Sequence, residues 1–262
     1  MQHDAERRSG TSDLTKLLDG ESAFVTGAAG GIGRGIARAL AAEGARLALV
    51  DIDGERLQLV AKELNAEFCV ADLSDPEAVR HAFEEAVVRL ERISLLVHSA
   101  SPPRRETQTV LEVTEAEWDA MVDINLRAGF LLGQLAAKHM IAAKRGSMLF
   151  VTSPHAHSPR NLPHYSAAKA GETMLVKELA RALGPHGIRV NAIAPGAVPG
   201  GGFAADVAAL ERMIPLGRTG TPEDIGAMAV AVLSERFGAY VTGTTIEVDG
   251  GLTLYNWIPR AE

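Results

Sequence analysis

Cysteine is almost absent from this sequence of 262 residues, which contains a single one, Cys69. A lone cysteine excludes an intrachain disulfide, and this fits the reducing environment of the cytoplasm. Cys69 lies within the short apolar run AEFCVAD. Free cysteines in apolar surroundings behave as small hydrophobic residues, so we expect a buried structural thiol here rather than a nucleophile.

The sequence also lacks an excess of positive charge and any long apolar run. Its formal net charge is −7 and its pI is about 5.7, which argues against a general nucleic-acid binder or a protein of anionic membrane surfaces. No apolar run reaches membrane-spanning length, and the first 21 residues lack the apolar core of a signal peptide. We therefore expect a cytoplasmic protein without nucleic-acid or membrane partners.

Apolar runs of strand length alternate with helix-like segments, the longest over residues 114–140. The strand candidates are SAFVTG, ARLALVD, AEFCVAD, ISLLVHSA, SMLFVTS, IRVNAIAP and TTIEVDG. Their near-continuous apolar content is typical of parallel strands buried on both faces. The alternation predicts a single α/β domain over residues 20–262, a doubly wound parallel sheet of about seven strands with helices on both faces. Residues 1–19 are predicted to form a flexible N-terminal extension.

The glycine-rich segment TGAAGGIGRGIA follows the first strand candidate and has glycines at positions 27, 31 and 33 of the strand-to-helix turn. Gly27 permits a tight turn, Gly31 lets the backbone approach a pyrophosphate, and Gly33 allows close packing of helix and strand. The helix that follows would direct its N-terminal amides at the phosphates. The strict GxGxxG pattern does not fit, because position 36 is Ile. The placement between a strand and a helix nevertheless predicts a dinucleotide-binding turn.

The stretch LPHYSAAKAGE places Tyr165 four residues before Lys169 in a helix-like context. Residues i and i+4 lie on one face of a helix, so the two side chains are expected side by side. A neighbouring cation favours the phenolate over the phenol, which would make the pair a tuned general acid/base. The alternative is an ordinary surface tyrosine and lysine, and the pair alone does not decide between the two.

Together the two motifs resemble the short-chain dehydrogenase/reductase family over residues 20–255. The pattern T-G-x-x-x-G-I-G resembles that family's cofactor turn, and Y-x-x-x-K resembles its active-site signature. The segments ADLSD, WDAMVDINLRAGF, MLFVTS, RVNAIAPG, TPEDIG and IEVDGG resemble further landmarks of the family. The resemblance implies a Rossmann-like fold, a nicotinamide dinucleotide cofactor, and a homotetramer with the helix of Tyr165 in one interface.

The resemblance also implies a catalytic set. Tyr165 would exchange a proton with a substrate hydroxyl or carbonyl, and Lys169 would support it and hold the nicotinamide ribose. Ser153 would bind the substrate oxygen, and Asn125 would continue a proton relay through water. Taken alone, Ser153 and Asn125 would more often be structural, as a strand-end hydroxyl and a helix-interior amide. Cofactor contacts are implied at Gly27, Gly31, Ile32, Gly33, Asp51, Asp72, Leu73, Ala100, Tyr165, Lys169, Pro195, Gly196 and Val198.

Asp51 ends the second strand candidate, 18 residues after Gly33. An acid there is placed to accept hydrogen bonds from the adenosine ribose hydroxyls, and it would repel the 2′-phosphate of NADP. The nearest basic residues are Arg34 and Arg56, and either would soften this discrimination by swinging inward. The alternative for Asp51 is a turn or N-cap role, which Asp53 fills as well or better. The sequence therefore predicts NAD rather than NADP.

Three features depart from the family pattern. The segment HSAS, His98–Ser101, stands where the family has a motif like N-N-A-G. The alanine is kept, but both asparagines and the glycine are replaced, which puts the side-chain support of the sheet in doubt. Ser153 precedes Tyr165 by 12 residues, one fewer than is usual in the family. Thr152 has the usual spacing, but Ser153 suits the strand position better. Gly200 replaces a threonine near the nicotinamide, so we expect an unusually flexible loop there.

The segment SPHAHSPRNLPH contributes three histidines, His155, His157 and His164. No recognised zinc spacing accompanies them, so we predict no metal site and expect either a polar substrate wall or solvated loop histidines. Arg104 follows the fourth strand candidate, and Arg160 lies in the histidine segment. We interpret His155, Arg104 and Arg160 as candidate substrate contacts, with solvated surface charges as the alternative.

The resemblance predicts an NAD-dependent oxidoreductase that transfers hydride between nicotinamide and a secondary alcohol or ketone. The polar residues around Tyr165 favour a sugar, polyol or hydroxy acid as the small-molecule substrate. A 3-oxoacyl reductase is the alternative among enzymes, because that activity shares the whole scaffold. A non-catalytic dinucleotide-binding regulator is the alternative of another class, and only the HSAS segment supports it. The loops that select the substrate carry no transferable code.

Overall fold

The computed structural model describes residues 16–105, 108–199 and 206–254. Seven parallel strands form one sheet in the order β3-β2-β1-β4-β5-β6-β7. The strands are β1 Ser22–Thr26, β2 Arg46–Asp51, β3 Glu67–Val70, β4 Leu95–His98, β5 Gly146–Val151, β6 Ile188–Pro195 and β7 Thr245–Val248. The predicted doubly wound α/β fold is confirmed. Its strand order reverses between β1 and β4, which is where such folds bind their ligands.

Helices cover both faces of the sheet, as predicted. They are α1 Gly31–Ala42, α2 Gly54–Leu64, α3 Pro76–Leu90, α4 Glu115–Val122, α5 Ala128–Ala143, α6 Pro163–Leu183, α7 Val207–Met213, α8 Pro222–Leu233 and α9 Glu235–Gly238. Successive residues of β1 point to opposite faces of the sheet and pack against different helices. Phe24 packs into the core beneath α3, α5 and α6, and Val25 packs into the core beneath α1, α2 and α8. Burial on both faces explains why the central strands are almost wholly apolar.

The edge strands β3 and β7 are only partly buried. Cys69 lies on β3 and is half-buried, whereas its apolar neighbours in the sequence predicted full burial. That prediction was wrong because β3 has a neighbouring strand on one side only. Burial, assisted by the nearby Glu85, raises the pKa of the Cys69 thiol to about 11. The thiol is therefore protonated at neutral pH, and a protonated thiol is a poor nucleophile.

The helix predicted over residues 114–140 is interrupted by a π-helical turn, Asp123–Arg127, between α4 and α5. Such a turn disturbs the regular backbone hydrogen bonds, and it occurs frequently at functional sites. The imidazole Nε2 of His98, from β4, lies 3.1 Å from the carbonyl oxygens of both Ile124 and Asn125. A side chain of a neighbouring strand therefore supports the turn. The helical pattern of the sequence could not reveal that contact.

The packed domain begins before residue 20, where the sequence analysis placed its start. Leu18 is 1% exposed and belongs to the core beneath α1. Its amide donates a hydrogen bond to the carbonyl oxygen of Glu43 at 2.9 Å. Leu18 is therefore part of the domain rather than of the extension, of which residues 1–15 lie outside the described residues. Within the described ranges, no helix combines the length and apolar character that crossing a bilayer requires.

Candidate active site

The carboxyl ends of the strands bring the predicted site residues to one edge of the sheet. The turn at Gly27 follows β1, Asp51 ends β2, Ala100 follows β4, Ser153 follows β5 and Pro195 ends β6. All seven strands are parallel, so these ends face the same way. The fold thus assembles positions that are far apart in the sequence into one candidate site, at the edge where α/β sheets bind ligands.

The glycine turn has a backbone that fits the phosphates of a dinucleotide. Gly27 has a φ of +69°, and a Cβ there would lie 2.8 Å from the amide nitrogen of Ala100. A Cβ at Gly33 would lie 2.1 Å from the carbonyl oxygen of Gly27. A Cβ at Gly31 would meet nothing within 4 Å among the described residues beyond its chain neighbours. Gly30 gives α1 no side-chain cap, so the first helical amides remain available to phosphate oxygens.

The carboxylate of Asp51 is fixed beside this turn. Its Oδ2 accepts a hydrogen bond from the amide of Ala29 at 2.9 Å, and its Oδ1 accepts one from the amide of Asp53 at 3.0 Å. Asp51 therefore has the turn role that the sequence left open, and Asp53 caps α2 by accepting from the amide of Arg56 at 3.1 Å. The two bonds to Asp51 hold its carboxylate at the end of β2.

The two nearest arginines each have an acidic partner. Arg34 Nη2 lies 3.0 Å from Glu63 Oε2, and Arg56 Nε lies 3.3 Å from Asp53 Oδ2. Arg38 Nε also donates to Glu63 at 2.6 Å, and the bonds from Arg38 and Arg34 lower the pKa of Glu63 to about 2. These exposed pairs contribute little to stability. They nevertheless engage the cations that could otherwise meet a 2′-phosphate.

Other predicted cofactor positions border the same edge. Asp72 is exposed, and its Oδ1 accepts hydrogen bonds from the amide and the hydroxyl of Ser74 at 2.9 and 2.8 Å. Leu73 is buried in the core beneath α3. Ile32 and Val198 are half-buried against the core beneath α1. At Gly196 a Cβ would lie 2.7 Å from the Cα of Asp249, which explains the glycine after Pro195.

Tyr165 and Lys169 lie one turn apart on α6, side by side as the spacing predicts. Both are buried, and the Lys169 Nζ lies 5.8 Å from the centre of the Tyr165 ring. The ammonium donates to the carbonyl oxygen of Val151 at 2.7 Å and to Glu172 Oε2 at 2.8 Å. These bonds hold the cation between the end of β5 and α6. A cation in that place stabilises a phenolate on its neighbour.

Ser153 follows β5 in extended backbone and is 6% exposed. Its Oγ accepts a hydrogen bond from the amide of His155 at 3.3 Å, which leaves the hydroxyl hydrogen as a donor. Thr152, the competitor by spacing, donates its hydroxyl to the carbonyl oxygen of Ile193 at 3.1 Å and so ties β5 to β6. These contacts favour Ser153 over Thr152 as the residue that binds a substrate oxygen.

Asn125 occupies the π-helical turn and is fully buried. Its side-chain amide donates to the carbonyl oxygen of Met121 at 2.9 Å. Its Oδ1 is buried with no hydrogen-bond partner among the described residues. An unpartnered buried oxygen carries a desolvation cost that a bound water would remove. The side chain therefore fits the water-linked role that the family resemblance implies.

A family model described as Enoyl-(Acyl carrier protein) reductase matches residues 27–253. The chain belongs to the short-chain dehydrogenase/reductase family. This family binds a nicotinamide dinucleotide. The match includes the glycine turn, Ser153 and the Tyr165–Lys169 pair.

Relatives in the family are oxidoreductases with different substrates. The chain is similar to the 3-oxoacyl-[acyl-carrier-protein] reductase of Thermotoga maritima, at 33% identity over 90% of this chain and 99% of the relative. It is also similar to the D-threitol dehydrogenase of Mycolicibacterium smegmatis, at 35% identity over 92% of this chain and 96% of the relative. The structure of a short chain dehydrogenase from Burkholderia cenocepacia in complex with NADP superposes with a TM-score of 0.82, at 29% identity over 90% and 99% of the two chains. Family membership therefore fixes neither the substrate nor the choice between NAD and NADP.

His98 replaces the first asparagine of the family's N-N-A-G motif, and its side chain is fully buried. Its Nε2 faces the two carbonyls of the π turn and so carries the hydrogen, while its Nδ1 accepts from Thr26 Oγ1 at 3.0 Å. Thr26 Oγ1 accepts in turn from the amides of Ser99 and Ala100 at 3.1 and 3.3 Å. The side-chain support of the sheet, which the sequence left in doubt, is therefore provided by His98 instead of an asparagine.

Glu172 was not predicted as part of the site, although it lies on α6 next to Lys169. It is fully buried, and its Oε1 lies 4.0 Å from His98 Nε2. Its position three residues after Lys169 puts it on the same helix face, which is a signal that the stretch YSAAKAGE already contains. No spacing in the sequence indicates the approach of His98.

The substrate candidates His155 and Arg104 both contact Tyr165. The His155 ring meets the Tyr165 ring edge-on with centres 5.4 Å apart, and Arg104 Cζ lies 4.1 Å from the centre of the same ring. Burial, followed by the charges of Arg160 and Arg104, lowers the pKa of His155 to about 4. His155 is therefore neutral at neutral pH, whereas Arg104 supplies positive charge beside the ring of Tyr165 and Arg160 acts on His155.

The other two histidines of the segment have separate surroundings. His157 Nε2 lies 3.8 Å from Glu247 Oε1, and His164 is buried with Nδ1 unpartnered among the described residues. In the ranges that the structure describes, no three His, Cys, Asp or Glu side chains are placed to hold a metal ion. The loop predicted to be flexible at Gly200 lies outside the described residues.

The burial of His98 predicts a loss of stability in acid. Burial, followed by the charge of Lys169, lowers the pKa of His98 from 6.5 to about 4. Unfolded chains therefore take up this proton at a higher pH than folded ones, so the stabilisation is complete above pH 6.5 and is lost as the pH falls toward 4. The loss amounts to about 3 kcal/mol.

Denaturant unfolding of the wild type and of His98→Asn at pH 7 and pH 4 measures this effect. The asparagine does not titrate, so the drop in unfolding free energy between the two pH values should be about 3 kcal/mol smaller in the variant. His81→Asn, on the exposed face of α3, is the matched control and should leave most of the drop in place. An equal drop in all three proteins would contradict the assignment.

Proposed function

We propose that this chain is an NAD-dependent dehydrogenase/reductase that interconverts a secondary alcohol and its ketone, with Tyr165 as the acid/base. The observation that carries the proposal is the buried Tyr165–Lys169 pair, which Lys169 ties to the end of β5, the strand that Ser153 follows, at the same sheet edge as the glycine turn. When bound, the dinucleotide supplies the hydride chemistry. The protein binds, orients and moves the proton.

The roles of the residues follow from their contacts. The hydroxyl of Ser153 is free to donate to a substrate oxygen, because its Oγ already accepts from a backbone amide. Tyr165 takes the proton of an alcohol or returns one to a carbonyl oxygen, and Lys169 stabilises its phenolate. Asn125, whose buried Oδ1 has no hydrogen-bond partner among the described residues, would bind a water of the proton relay. The glycine turn and Asp51 would hold the pyrophosphate and the adenosine ribose.

The substrate that we propose is a small polar molecule such as a sugar, a polyol or a hydroxy acid. Arg104 and His155 support this choice, because both place polar groups against the ring of Tyr165. Similarity to a 3-oxoacyl reductase supports the second candidate, a 3-oxoacyl substrate. A regulator without catalysis is disfavoured by the complete set of Ser153, Tyr165, Lys169 and Asn125. The cytoplasmic location stays a prediction.

Removal of the Tyr165 hydroxyl tests the catalytic assignment. Tyr165→Phe keeps the ring but has no proton to exchange, so turnover should fall at least ~10²-fold while dinucleotide binding stays nearly unchanged. The assay is nicotinamide absorbance with a panel of polyols, sugars, hydroxy acids and 3-hydroxyacyl thioesters. Tyr240→Phe, at a fully exposed residue, is the control and should keep wild-type rates. Wild-type rates in Tyr165→Phe would overturn the mechanism. Binding of dinucleotide without turnover of any substrate would favour the regulator.

The cofactor choice is tested by kcat/KM with NAD and with NADP. A 2′-phosphate against the Asp51 carboxylate is a like-charge contact that costs several kcal/mol, so we expect at least ~10²-fold preference for NAD. Asp51→Ala should reduce this preference. Asp51→Asn should also reduce it while it keeps an acceptor for the amide of Ala29. Asp75→Asn, at the N-cap of α3, is the matched control, because asparagine caps a helix as well as aspartate does. Equal efficiency of the wild type with NADP would refute the assignment.

We further propose a homotetramer with α6 in one interface, as the family resemblance implies. Exposed apolar residues on the outer face of α6 and α5 support it, including Ala167, Ala170, Met174 at 54% exposure and Phe130 at 46%. Small side chains on α6 let a second helix approach closely. An apolar face of this kind is typical of an interaction surface.

Light scattering at micromolar concentration tests the assembly. The mass should be four times the 27.7 kDa of the chain. Met174→Arg places a charge in the proposed interface and should lower the mass. Leu59→Arg, at an exposed leucine of α2 on the opposite face of the sheet, should leave it unchanged. A monomer in the wild type would rule out the tetramer.

A further inference from the structure

Glu172 is a fully buried carboxyl whose hydrogen-bond partner is the ammonium of the active site. Its Oε2 accepts from Lys169 Nζ at 2.8 Å, and its Oε1 has no hydrogen-bond partner among the described residues. The same ammonium donates to the carbonyl oxygen of Val151 at 2.7 Å. Two of the three ammonium hydrogens are therefore donated to these two oxygens.

Within the described ranges, Lys169 carries the one positive charge that faces Glu172. Among the described residues, the ionisable side chains that face its carboxyl are Lys169 from α6 and His98 from β4. The low pKa of His98, about 4, keeps its imidazole neutral at neutral pH. At 4.0 Å its Nε2 is also too far from Glu172 Oε1 for a hydrogen bond, and the Nε2 hydrogen already points to two carbonyls. The contact is therefore not an ion pair.

The charge of Glu172 changes near neutral pH. Complete burial, only partly opposed by Lys169, raises the pKa of Glu172 to about 7. Tyr165 lies near the same ammonium, with its ring centre 5.8 Å from Nζ. Two acids and one cation thus share a pocket, and groups in such contact titrate together rather than independently.

We propose that Glu172 is a positioning residue that competes with Tyr165 for the single positive charge of Lys169, and so sets the pH range in which Tyr165 acts as a base. This inference rests on the proposed function, in which Tyr165 is the acid/base. A neutral Glu172 leaves the full charge of Lys169 to stabilise the phenolate. An ionised Glu172 cancels part of that charge and disfavours the phenolate.

The sign of the effect can be measured with two variants that remove the carboxylate charge. Glu172→Gln keeps an oxygen that accepts from Lys169, and Glu172→Met keeps the length of the side chain without polar atoms. In both, the rising limb of kcat/KM against pH for alcohol oxidation should move by ~1 pH unit to lower pH, because the phenolate gains the whole charge of Lys169. Glu178→Gln, at an exposed position of α6, is the matched control and should leave the profile unchanged.

A spectroscopic titration separates this inference from the proposed function, because it needs no substrate. The chain has three tyrosines, so the ultraviolet absorbance of the Tyr165 phenolate is isolated by subtracting the spectrum of Tyr165→Phe, made in each background. Its midpoint should lie at lower pH in Glu172→Gln and Glu172→Met than in the wild type. The infrared band of a protonated buried carboxyl should also titrate near pH 7 in the wild type and be missing from Glu172→Gln.

The possible results are distinct. A phenolate midpoint that is unchanged in both variants would overturn the inference, whatever the enzyme kinetics. A shift in Glu172→Gln but not in Glu172→Met would overturn it too, because it would show that the hydrogen bond matters rather than the charge. A shift in both supports the inference even if no substrate is found, in which case it is the proposed function that fails.

Discussion

A buried ammonium on α6 is the group on which the rest of the site depends. Lys169 is 2% exposed, and taking such a charge out of water costs several kcal/mol unless other groups compensate for it. The compensation comes from the Val151 carbonyl at the end of β5 and from Glu172 one turn along α6. The cation therefore stays beside Tyr165 only while β5 and α6 remain packed together. The packing of β5 against α6 is therefore also what keeps the positive charge of Lys169 in the site.

The imidazole of His98 is a second buried group whose charge state affects the surroundings of Lys169. It occupies space left by a glycine, because a Cβ at Gly129 of α5 would lie 3.2 Å from His98 Cδ2. Its ring also meets Phe150 edge-on, with centres 6.0 Å apart. Burial keeps the imidazole neutral, so it can support the π turn and the Thr26 hydroxyl by hydrogen bonds without competing for Glu172. A charged side chain in this position would change the electrostatics that surround Lys169.

The sequence could predict those parts of the structure that depend on local spacing. The strands follow from near-continuous apolar runs and the glycine turn from its place between a strand and a helix. The shared face of Tyr165 and Lys169 follows from the 3.6-residue period of the helix. The π turn at Asn125 could not be predicted, because its carbonyls are satisfied by a side chain from β4. Burial of Cys69 was predicted wrongly, since strand order decides which strand is an edge and apolar runs do not encode that order. The spacing of the sequence places Glu172 beside Lys169 on the helix, but it does not predict the complete burial of Glu172.

The charges of the site are divided between its two ends. Asp51 holds a carboxylate at the end of β2, where the nearby arginines pair with Glu63 and Asp53. At the other end, Arg104 and Lys169 surround the ring of Tyr165 with positive charge. β1 and β4 separate the two ends in the sheet. Within the described ranges, the ion pairs at the end of β2 share no residue with the ion pair of Lys169. The proposed discrimination between cofactors at Asp51 and the proposed acid/base chemistry at Tyr165 can therefore vary independently, whereas the inference for Glu172 places that residue in direct contact with the chemistry.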